Sequence, residues 1–540
     1  MTTAIVPTVR PDPIRSGIDA GWKIIDASAL ARDLALEADV VIVGSGAGGG
    51  TAAEILASAG LKVILVEEGP LRSSRDFRMR ESDAYPALYQ ESAARKTRDK
   101  AINILQGRCV GGGTTVNWTT SFRTPEATLR HWAAAHGLTG FGVSDLAPWF
   151  ERMEARLSIA PWEAPPNANN AALARGAERL GIPTGIIRRN VKGCWDLGYC
   201  GLGCPIDAKQ SMLVTTIPAA LDQGATLLTR ARALEFRQER DRVVALTCAG
   251  MAADGVLPGP HRITLRARSF IAAAGGIGSP ALLLRSQVPD PHHLIGKRTF
   301  LHPTLVSAAI LPERVEPWAG TPQSVHSDHF LDTLEPAGPM GFKLEAPPVH
   351  PILGAITLPN HGSGHAAWMR EFPHLQVVLA LLRDGFHPDS TGGTVALRSD
   401  GTPVLDYPFT PYVWEGVRRA FATMAEIQFA AGATRVMPVH GSGTGYTQWG
   451  AAKRAIDAFE LRPLVTPVVS AHVMGGCPLG ADARTSVVDL SGRHHHLANL
   501  HVLDGSLFPT SIGANPQLSI FGIAARLAAG LAATLAKRGA

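Results

Sequence analysis

The spacing of hydrophobic and polar positions changes along the chain, and each change marks where a strand or a helix is expected. Residues 39–43 form a short apolar, β-branched run, which is typical of a strand buried on both faces. A helical stretch and a second apolar run at residues 61–66 follow it. Further strands are expected at residues 270–274, directly before a pair of glycines, and at residues 376–382. The first strand–helix–strand unit predicts an α/β fold with a Rossmann-like domain.

Helical periodicity is clearest at residues 144–158, 412–431 and 519–536. The last of these has Arg526 in its middle and is rich in Ala and Gly, so a buried helix is expected and not a membrane span. Residues 1–37 are expected to form an N-terminal arm, with a short helix near residues 29–36.

Residues 300–400 have β-like runs among Pro, His, Gly and aromatic residues, which predicts a second, α+β domain on a mostly antiparallel sheet. The first domain is expected to consist of three separate parts, residues 38–160, 224–300 and 469–540. A linker with the cysteine loop, residues 161–223, follows the first part. The second domain is expected to be one continuous stretch, residues 301–468.

Composition narrows the class of protein. A chain of 540 residues exceeds the size of one compact core, so two domains, or one large domain with insertions, are expected. Hydrophobic residues make up 45% and charged residues 18%, and the net charge of +5 is spread without basic clusters, which does not favour nucleic acid as a partner. The first 37 residues lack a secretory signal and a twin arginine. We therefore expect a protein that is cytoplasmic or peripheral to the inner membrane, with export only if a partner carries it.

Three glycines after the first strand have the spacing of a dinucleotide-binding turn. Gly44, Gly46 and Gly49 fit G-x-G-x-x-G, which gives a tight turn, a backbone that can touch a pyrophosphate, and a helix N-terminus aimed at the phosphates. Glu67 ends the second strand, where a carboxylate suits a ribose 2′-OH. The alternative, a glycine-rich βα turn without a ligand, is weakened by the complete strand, glycine, helix, strand and acid order.

Four separated motifs together resemble the glucose-methanol-choline (GMC) oxidoreductase family, near its long-chain alcohol oxidase and cluster-bearing sugar dehydrogenase branches. They are the glycine turn with Glu67, the glycine block at residues 107–117, Asp504-Gly505-Ser506, and Gly513-Ala514-Asn515-Pro516. The resemblance spans about residues 38–538 and implies a bound FAD, an FAD-binding domain assembled from the three separate parts, and a substrate domain beside the flavin.

The resemblance also implies roles by position. Gly44, Gly46, Gly49 and Glu67 would hold the ADP half of FAD, and Asp504 matches an acid near the ribityl-pyrophosphate. The second flavin block is matched by five positions (Arg108, Gly112, Gly113, Thr114 and Asn117). His302-Pro303 resembles a turn at the crossover between the domains, and no chemistry is inferred from it.

Oxidation of an alcohol by a flavin removes a hydride from carbon and a proton from oxygen, so a base is needed. A histidine suits this because its pKa, normally near 6.5, keeps it mostly neutral at pH 7. His472 resembles the family's catalytic histidine, and Asn515 resembles its partner, a position occupied by His or Asn in the family. Taken alone, a histidine with apolar neighbours such as His472 is more often a hydrogen-bonded core residue. Asn515 before Pro516 also has the pattern of a helix N-cap, and both roles can hold together.

Three cysteines form a Cys-x5-Cys-x3-Cys-Pro loop at Cys194, Cys200 and Cys204. The loop resembles that of multisubunit FAD sugar dehydrogenases, in which three thiolates hold a three-iron, four-sulfur cluster, and this predicts an iron–sulfur site. It also resembles long-chain alcohol oxidases, in which the cysteines need not bind a cluster. A structural zinc, with Asp196 or a distant histidine as fourth ligand, and simple buried thiols remain alternatives.

These features together predict an FAD-dependent alcohol dehydrogenase that acts on a hydrophobic primary or secondary alcohol, with His472 as base. Electrons would pass to a cytochrome or another redox partner, and a small accessory subunit is a further possible partner. Three rivals are an oxygen-reducing long-chain alcohol oxidase, a flavin-containing lyase of the same fold, and a flavin-binding electron-transfer or scaffold subunit.

Overall fold

The computed structural model describes residues 12–331 and 338–537. In chain order its strands are β1 (Lys23–Asp26), β2 (Leu34–Val43), β3 (Val63–Val66), β4 (Ile102–Ile104), β5 (Ile159–Pro161), β6 (Gly185–Ile186), β7 (Arg188–Asn190), β8 (Thr226–Thr229), β9 (Ala231–Glu239), β10 (Arg242–Met251), β11 (Pro258–Ala272), β12 (Lys297–Phe300), β13 (Thr304–Ile310), β14 (Val325–Ser327), β15 (Phe342–Glu345), β16 (Leu375–Leu382), β17 (Gly393–Leu397), β18 (Pro403–Asp406), β19 (Arg435–Pro438), β20 (Val468–Ser470), β21 (Met474–Gly475) and β22 (Leu500–Val502).

The helices in the same order are α1 (Pro13–Asp19), α2 (Ala47–Ser58), α3 (Glu81–Leu88), α4 (Gly113–Val116), α5 (Glu126–His136), α6 (Val143–Arg156), α7 (Ala168–Arg179), α8 (Thr216–Asp222), α9 (Gly275–Arg285), α10 (Pro351–Thr357), α11 (Gly362–Arg370), α12 (Pro411–Ala430), α13 (Trp449–Asp457) and α14 (Gln517–Lys537).

The first large sheet has the strand order β1-β8-β3-β2-β11-β10-β9, and β22 pairs with the end of β11. Pairing is parallel from β1 to β11 and between β11 and β22, and antiparallel from β11 to β9. The strand predicted at residues 270–274 is the end of β11, and it lies beside β2 in this sheet. This mixed sheet with helix α2 after β2 confirms the Rossmann-like part of the predicted fold class.

The second large sheet has the order β4-β20-β13-β16-β15-β14-β6, with β19 also paired to β13. All of its pairs are antiparallel except β4 with β20. Every residue of β16 is buried, which agrees with the continuous apolar run that predicted it. The mostly antiparallel α+β domain is therefore confirmed, whereas the domain boundaries stay predictions.

The short helix expected near residues 29–36 is wrong. Residues 27–29 form a single 3₁₀ turn, and β2 begins at Leu34, five residues before the apolar run that predicted the strand. Leu34 and the next residues pair with β11, starting opposite Ile263. Tertiary pairing with a neighbouring strand thus decided a segment whose local pattern was ambiguous.

Helix α14 is the one helix in residues 12–331 and 338–537 whose length and mean hydropathy, 1.7, would suffice to cross a membrane. In the fold, 67% of that apolar window is buried. The helix packs against α2 and α6, with Phe521 and Leu518 buried among them. It is a core helix of the first domain, as the interrupted apolar pattern predicted.

Candidate active site

The glycine turn lies between β2 and the N-terminus of α2. Gly44 has φ of +100°, a conformation that suits glycine, and Gly46 occupies the N-cap of α2 without a side-chain cap. A Cβ on Gly49 would lie 1.8 Å from the Gly44 carbonyl oxygen, so only glycine lets the helix start this close to the strand. The turn therefore has the close packing and the open helix end that a pyrophosphate requires.

The second glycine block lies directly against this turn. Gly112 has φ of +52°, and a Cβ there would lie 2.8 Å from the Gly46 Cα, so the two backbones touch. A Cβ on Gly113 would meet nothing within 4 Å. Gly111 N–H donates to Ser45 Oγ at 3.0 Å, which joins the two loops. Two glycine loops with little side-chain bulk between them are a cradle that fits the phosphates of a dinucleotide.

Glu67 lies beside this cradle and is buried. Its carboxylate accepts hydrogen bonds from Ser45 Oγ at 2.5 Å and from Gly69 N–H at 2.9 Å. Burial raises the pKa of Glu67 above its usual value, and the bond from Ser45 partly offsets this. Its predicted contact with a ribose stays a prediction.

Asp504 joins two elements of the first domain. Its carboxylate accepts from Ser279 Oγ and the Gly275 N–H at the start of α9, and from Ser506 on its own turn. Burial raises the pKa of Asp504 above its usual value. The residue fixes the loop after β22 against α9, and its predicted role beside the flavin stays a prediction.

Three residues of the second flavin block make internal contacts. Arg108 forms an ion pair with Glu68 at 3.1 Å and also bonds the Gly255 carbonyl. Thr114 donates to the Gly111 carbonyl, and Asn117 donates to Gln517 Oε1 at 2.7 Å, at the start of α14. The Asn117 bond joins the block to the last helix, and the direct cofactor contacts predicted for the three residues stay untested.

The two predicted catalytic segments come together around a second histidine, His302. His302 Nδ1 lies 3.2 Å from His472 Nδ1, and the Gly513 N–H donates to His302 Nε2 at 3.0 Å. Gly513 lies two residues before Asn515, so His302 connects the loop of His472 to the loop of Asn515. The sequence pointed to His302 only through its His-Pro turn and assigned it no chemistry.

Hydrogen bonding fixes the tautomers of this histidine pair. Because His302 Nε2 accepts from Gly513, neutral His302 carries its proton on Nδ1 and donates it to His472 Nδ1. Neutral His472 then carries its proton on Nε2. If His302 carried its proton on Nε2 instead, that N–H would face the Gly513 N–H. One buried hydrogen bond would then be lost, at a cost of about 1–3 kcal/mol.

Both histidines are neutral at physiological pH. Burial lowers the pKa of His472 to about 4. Burial, with His472 close by, lowers the pKa of His302 well below its usual value. The backbone N–H groups of Leu301 and His302 donate to the buried carboxylate of Asp384, which holds this turn in place.

Asn515 points its amide at a buried carboxyl group that the sequence did not reveal. Asn515 Nδ2 donates to Glu345 Oε2 at 3.2 Å, and Gln323 Nε2 donates to the same oxygen at 2.6 Å. Glu345 is fully buried, and burial raises its pKa to about 7. In sequence, Lys343 and Glu345 alternate with apolar residues, which is the usual pattern of a strand with one solvent face.

The structure does not support the iron–sulfur site that was predicted for the cysteine loop. Within residues 12–331 and 338–537, no group of three or more His, Cys, Asp or Glu side chains is arranged to hold a metal ion. Cys194, Cys200 and Cys204 are free thiols, and the carboxylate of Asp196 is bonded to Thr321. The structure therefore supports neither the three-iron cluster nor a zinc site.

The loop is instead attached to the second flavin block by a buried lysine. Lys209 Nζ donates to the carbonyl oxygens of Thr115 at 2.5 Å, Asn117 at 3.0 Å and Cys200 at 2.7 Å. Burial lowers the pKa of Lys209 to about 8. The spacing of the cysteines suggested ligands because it resembles that of a cluster-binding loop, whereas the contact seen here is made by the backbone carbonyl of Cys200.

Comparison with known proteins identifies relatives over most of the chain. Profiles of the GMC oxidoreductase family match residues 85–304 and 388–524. An uncharacterized GMC-type oxidoreductase of Sinorhizobium fredii is 30% identical over 507 residues, covering 93% of this chain and 95% of the relative. Long-chain-alcohol oxidase FAO4A of Arabidopsis thaliana is 29% identical over 91% of this chain and 68% of its own length.

Solved structures agree on the fold. A variant of the formate oxidase of Aspergillus oryzae, studied for the modification of its FAD, matches with a TM-score of 0.67 at 15% identity. The match covers 92% of this chain and 98% of the other.

Proposed function

This chain belongs to the GMC oxidoreductase family, whose members include FAD-binding enzymes, and on that premise we propose that it oxidises an alcohol to an aldehyde or ketone. The observation that carries the proposal is the contact of His472 with His302 and of His302 with the loop of Asn515. A partly buried, neutral imidazole and a fixed amide are the groups that alcohol oxidation needs. When bound, FAD supplies the hydride acceptor for this chemistry.

Two residues of the chain, Asn515 and His472, would act directly on the alcohol. The Asn515 amide, held by Glu345, orients the alcohol oxygen. His472 accepts the hydroxyl proton as the hydride leaves the carbinol carbon. Because His472 Nε2 is protonated in the favoured tautomer, the base-competent form costs about one buried hydrogen bond, or about 1–3 kcal/mol. Neutrality of both rings keeps a proton-accepting form accessible across the physiological range.

The two glycine loops would hold the cofactor. Gly44, Gly46 and Gly49 with the start of α2 suit the pyrophosphate, and Gly112 lies against them. No step of the proton transfer uses these residues, so their role is binding and orientation.

We expect oxygen to be the electron acceptor. The long-chain-alcohol oxidase among the relatives favours this. A redox partner such as a cytochrome, with an accessory subunit, is the second candidate, and its only support is the resemblance of the cysteine loop.

Anaerobic addition of primary alcohols to the flavoprotein tests the reaction class. Loss of the oxidised flavin absorbance is expected, and one hydrogen peroxide per alcohol should form when air is admitted. Bleaching without peroxide, together with reduction of an artificial one-electron acceptor, would instead favour the partner-linked dehydrogenase. Unchanged flavin absorbance during product formation would favour a lyase, and neither product nor bleaching would favour a non-catalytic flavoprotein.

A variant tests the base. His472→Ala should lower the rate of flavin reduction by about 10²–10⁴-fold, the usual contribution of a general base, while the flavin content of the purified protein stays normal. His495→Ala, at a partly exposed position on a separate turn, serves as the matched control. A rate in His472→Ala close to that of the wild type would remove His472 from the mechanism.

A further inference from the structure

Two buried oxygen atoms beside the proposed catalytic amide have no hydrogen-bond donor. They are Asn515 Oδ1 and Glu345 Oε1, on residues that are 5% and 0% exposed. Buried polar atoms in proteins are nearly always paired, and each unpaired one costs about 1–3 kcal/mol. Two unpaired acceptors on adjoining side chains therefore indicate that a donor from outside the chain belongs here.

The neighbouring hydrogen bonds fix which oxygens remain free. Glu345 Oε2 accepts from both Asn515 Nδ2 and Gln323 Nε2, and Gln323 Oε1 in turn accepts from Thr120 Oγ1 at 2.8 Å. Rotating either amide by half a turn would set oxygen against oxygen. The arrangement therefore leaves two acceptor oxygens, Asn515 Oδ1 and Glu345 Oε1, without a donor.

No cationic side chain in the described ranges hydrogen-bonds Glu345. Lys343 lies two residues away on β15, but its ammonium bonds Asp328 and His326 and lies 3.8 Å from the centre of the Phe122 ring. A carboxyl group at this depth is stabilised most by a charge-assisted or hydroxyl donor. Burial raises the pKa of Glu345 to about 7, and the charge of Lys343 and the bond from Asn515 offset this only in part.

We propose that Glu345 and Asn515 form a specificity subsite for a second hydrogen-bond donor of the substrate, a hydroxyl or ammonium group on the carbon next to the carbinol. The inference rests on the proposed alcohol oxidation. Asn515 contacts the carbinol oxygen in that reaction, and its amide lies 3.2 Å from Glu345, so a donor that reaches Glu345 belongs to the adjacent carbon. The preferred substrates are then 1,2-diols or 1,2-amino alcohols, and a hydrophobic remainder of the molecule is compatible with this.

Three alcohols of equal chain length test the subsite: 1-hexanol, 1,2-hexanediol and 2-amino-1-hexanol. We expect the diol, the amino alcohol or both to exceed 1-hexanol in kcat/KM for anaerobic flavin reduction by about 10-fold or more, the worth of one good buried hydrogen bond. A preference for the diol alone assigns a hydroxyl donor, and a preference for the amino alcohol alone assigns an ammonium donor.

Glu345→Gln, which keeps the volume but not the charge, gives the second measurement. Its kcat/KM ratio of amino alcohol to 1-hexanol should fall at least 10-fold, mainly through a higher KM, whereas the diol ratio should fall less because an amide oxygen still accepts. Circular dichroism and flavin content check that the variant folds. If it does not fold, the kcat/KM ratios of the wild-type protein test the subsite by themselves.

The outcomes separate this subsite from the proposed function. Reduction by 1-hexanol with wild-type ratios near one, or ratios that Glu345→Gln leaves unchanged, would overturn the subsite and leave alcohol oxidation standing. No flavin reduction by any of the three alcohols would contradict alcohol oxidation and the subsite with it.

Discussion

His472 is a histidine whose protonation is controlled by its neighbours more than by its own chemistry. Partial burial lowers its pKa to about 4, and the bond from His302 favours the tautomer with the proton on Nε2. The free-energy cost of the tautomer in which His472 can act as a base depends on one backbone donor, the Gly513 N–H. A single residue's role here depends on a contact between segments that are 211 residues apart in sequence.

The low pKa of His472 predicts the acid limb of the activity profile. A base must be unprotonated, so kcat/KM is lost as the pH falls through the pKa of that base. We therefore expect kcat/KM to stay level from pH 7 down to about 5 and to fall near pH 4, not near 6.5. The measurement is kcat/KM for flavin reduction between pH 4 and 9 with a plain primary alcohol.

Repeating the pH profile of kcat/KM with Glu345→Gln distinguishes the titration of Glu345 from that of His472. A limb near pH 7 that disappears in the variant belongs to Glu345, whose pKa is about 7. A limb near pH 6.5 that persists in the variant would contradict the environment described for His472.

At the scale of elements, the strand–glycine–helix unit explains why the glycine turn tolerates no side chain. Cβ atoms on Gly48 and Gly49 would lie 1.7 Å from the Leu503 carbonyl oxygen and 1.8 Å from the Gly44 carbonyl oxygen. Backbone atoms cannot move aside as a flexible side chain can. Helix α2 is therefore held close to two neighbouring backbone segments, and this closeness gives its N-terminus a fixed direction.

Gly49→Ala should disrupt the unit. The clash with a backbone oxygen must push α2 away from β2, so we expect a loss of at least about 1–3 kcal/mol in the free energy of unfolding and a reduced flavin content. Thermal unfolding and the ratio of flavin to protein absorbance are the measurements.

Gly530→Ala is the matched control. Gly530 lies within α14, and a Cβ there meets nothing within 4 Å. Alanine should stabilise the helix by about 0.5–1 kcal/mol and leave the flavin content unchanged. Equal behaviour of the two variants would mean that the closeness of α2 to β2 is not what the cofactor needs.

At the scale of the whole molecule, segments from distant parts of the chain meet around one cofactor cradle. The first sheet takes strands from residues 23–66, 226–272 and 500–502, and the last helix packs against α2. Thr128 and Trp132 of α5 bond the Ile512 carbonyl and Thr510 Oγ1 beside the loop of Asn515. A ligand held between such segments binds the folded state alone and stabilises it.

Removal of FAD should therefore destabilise the entire protein. A ligand at 100 times its Kd contributes about 2.7 kcal/mol, so the apoprotein, unfolding as a unit of this size, is expected to melt at least about 2 °C lower than the holoprotein. Differential scanning calorimetry of both forms measures this, with added FAD restoring the transition. Equal melting temperatures would show that the cradle is formed independently of the cofactor.

Local periodicity was sufficient for the elements that contain their own signals. The apolar runs predicted β2, β3 and β16, the helical spacing predicted α6, α12 and α14, and the glycine spacing predicted the turn before α2. Each of these signals depends on residues that are neighbours in sequence. The helix expected near residues 29–36 was wrong because that segment's structure depends on pairing with β11, more than 220 residues away.

Residue patterns along the chain were enough to predict the fold class, the glycine turn and the two candidate residues His472 and Asn515. The fold added that His302 joins these two residues, that residues 12–331 and 338–537 hold no group of three or more side chains placed for a metal ion, and that Glu345 is buried against Asn515. Strand alternation records which residues share a face, but not what covers that face. In this protein Asn515, in the loop before α14, and Gln323 both bond Glu345 of β15, so a carboxyl group in an alternating strand became part of the site.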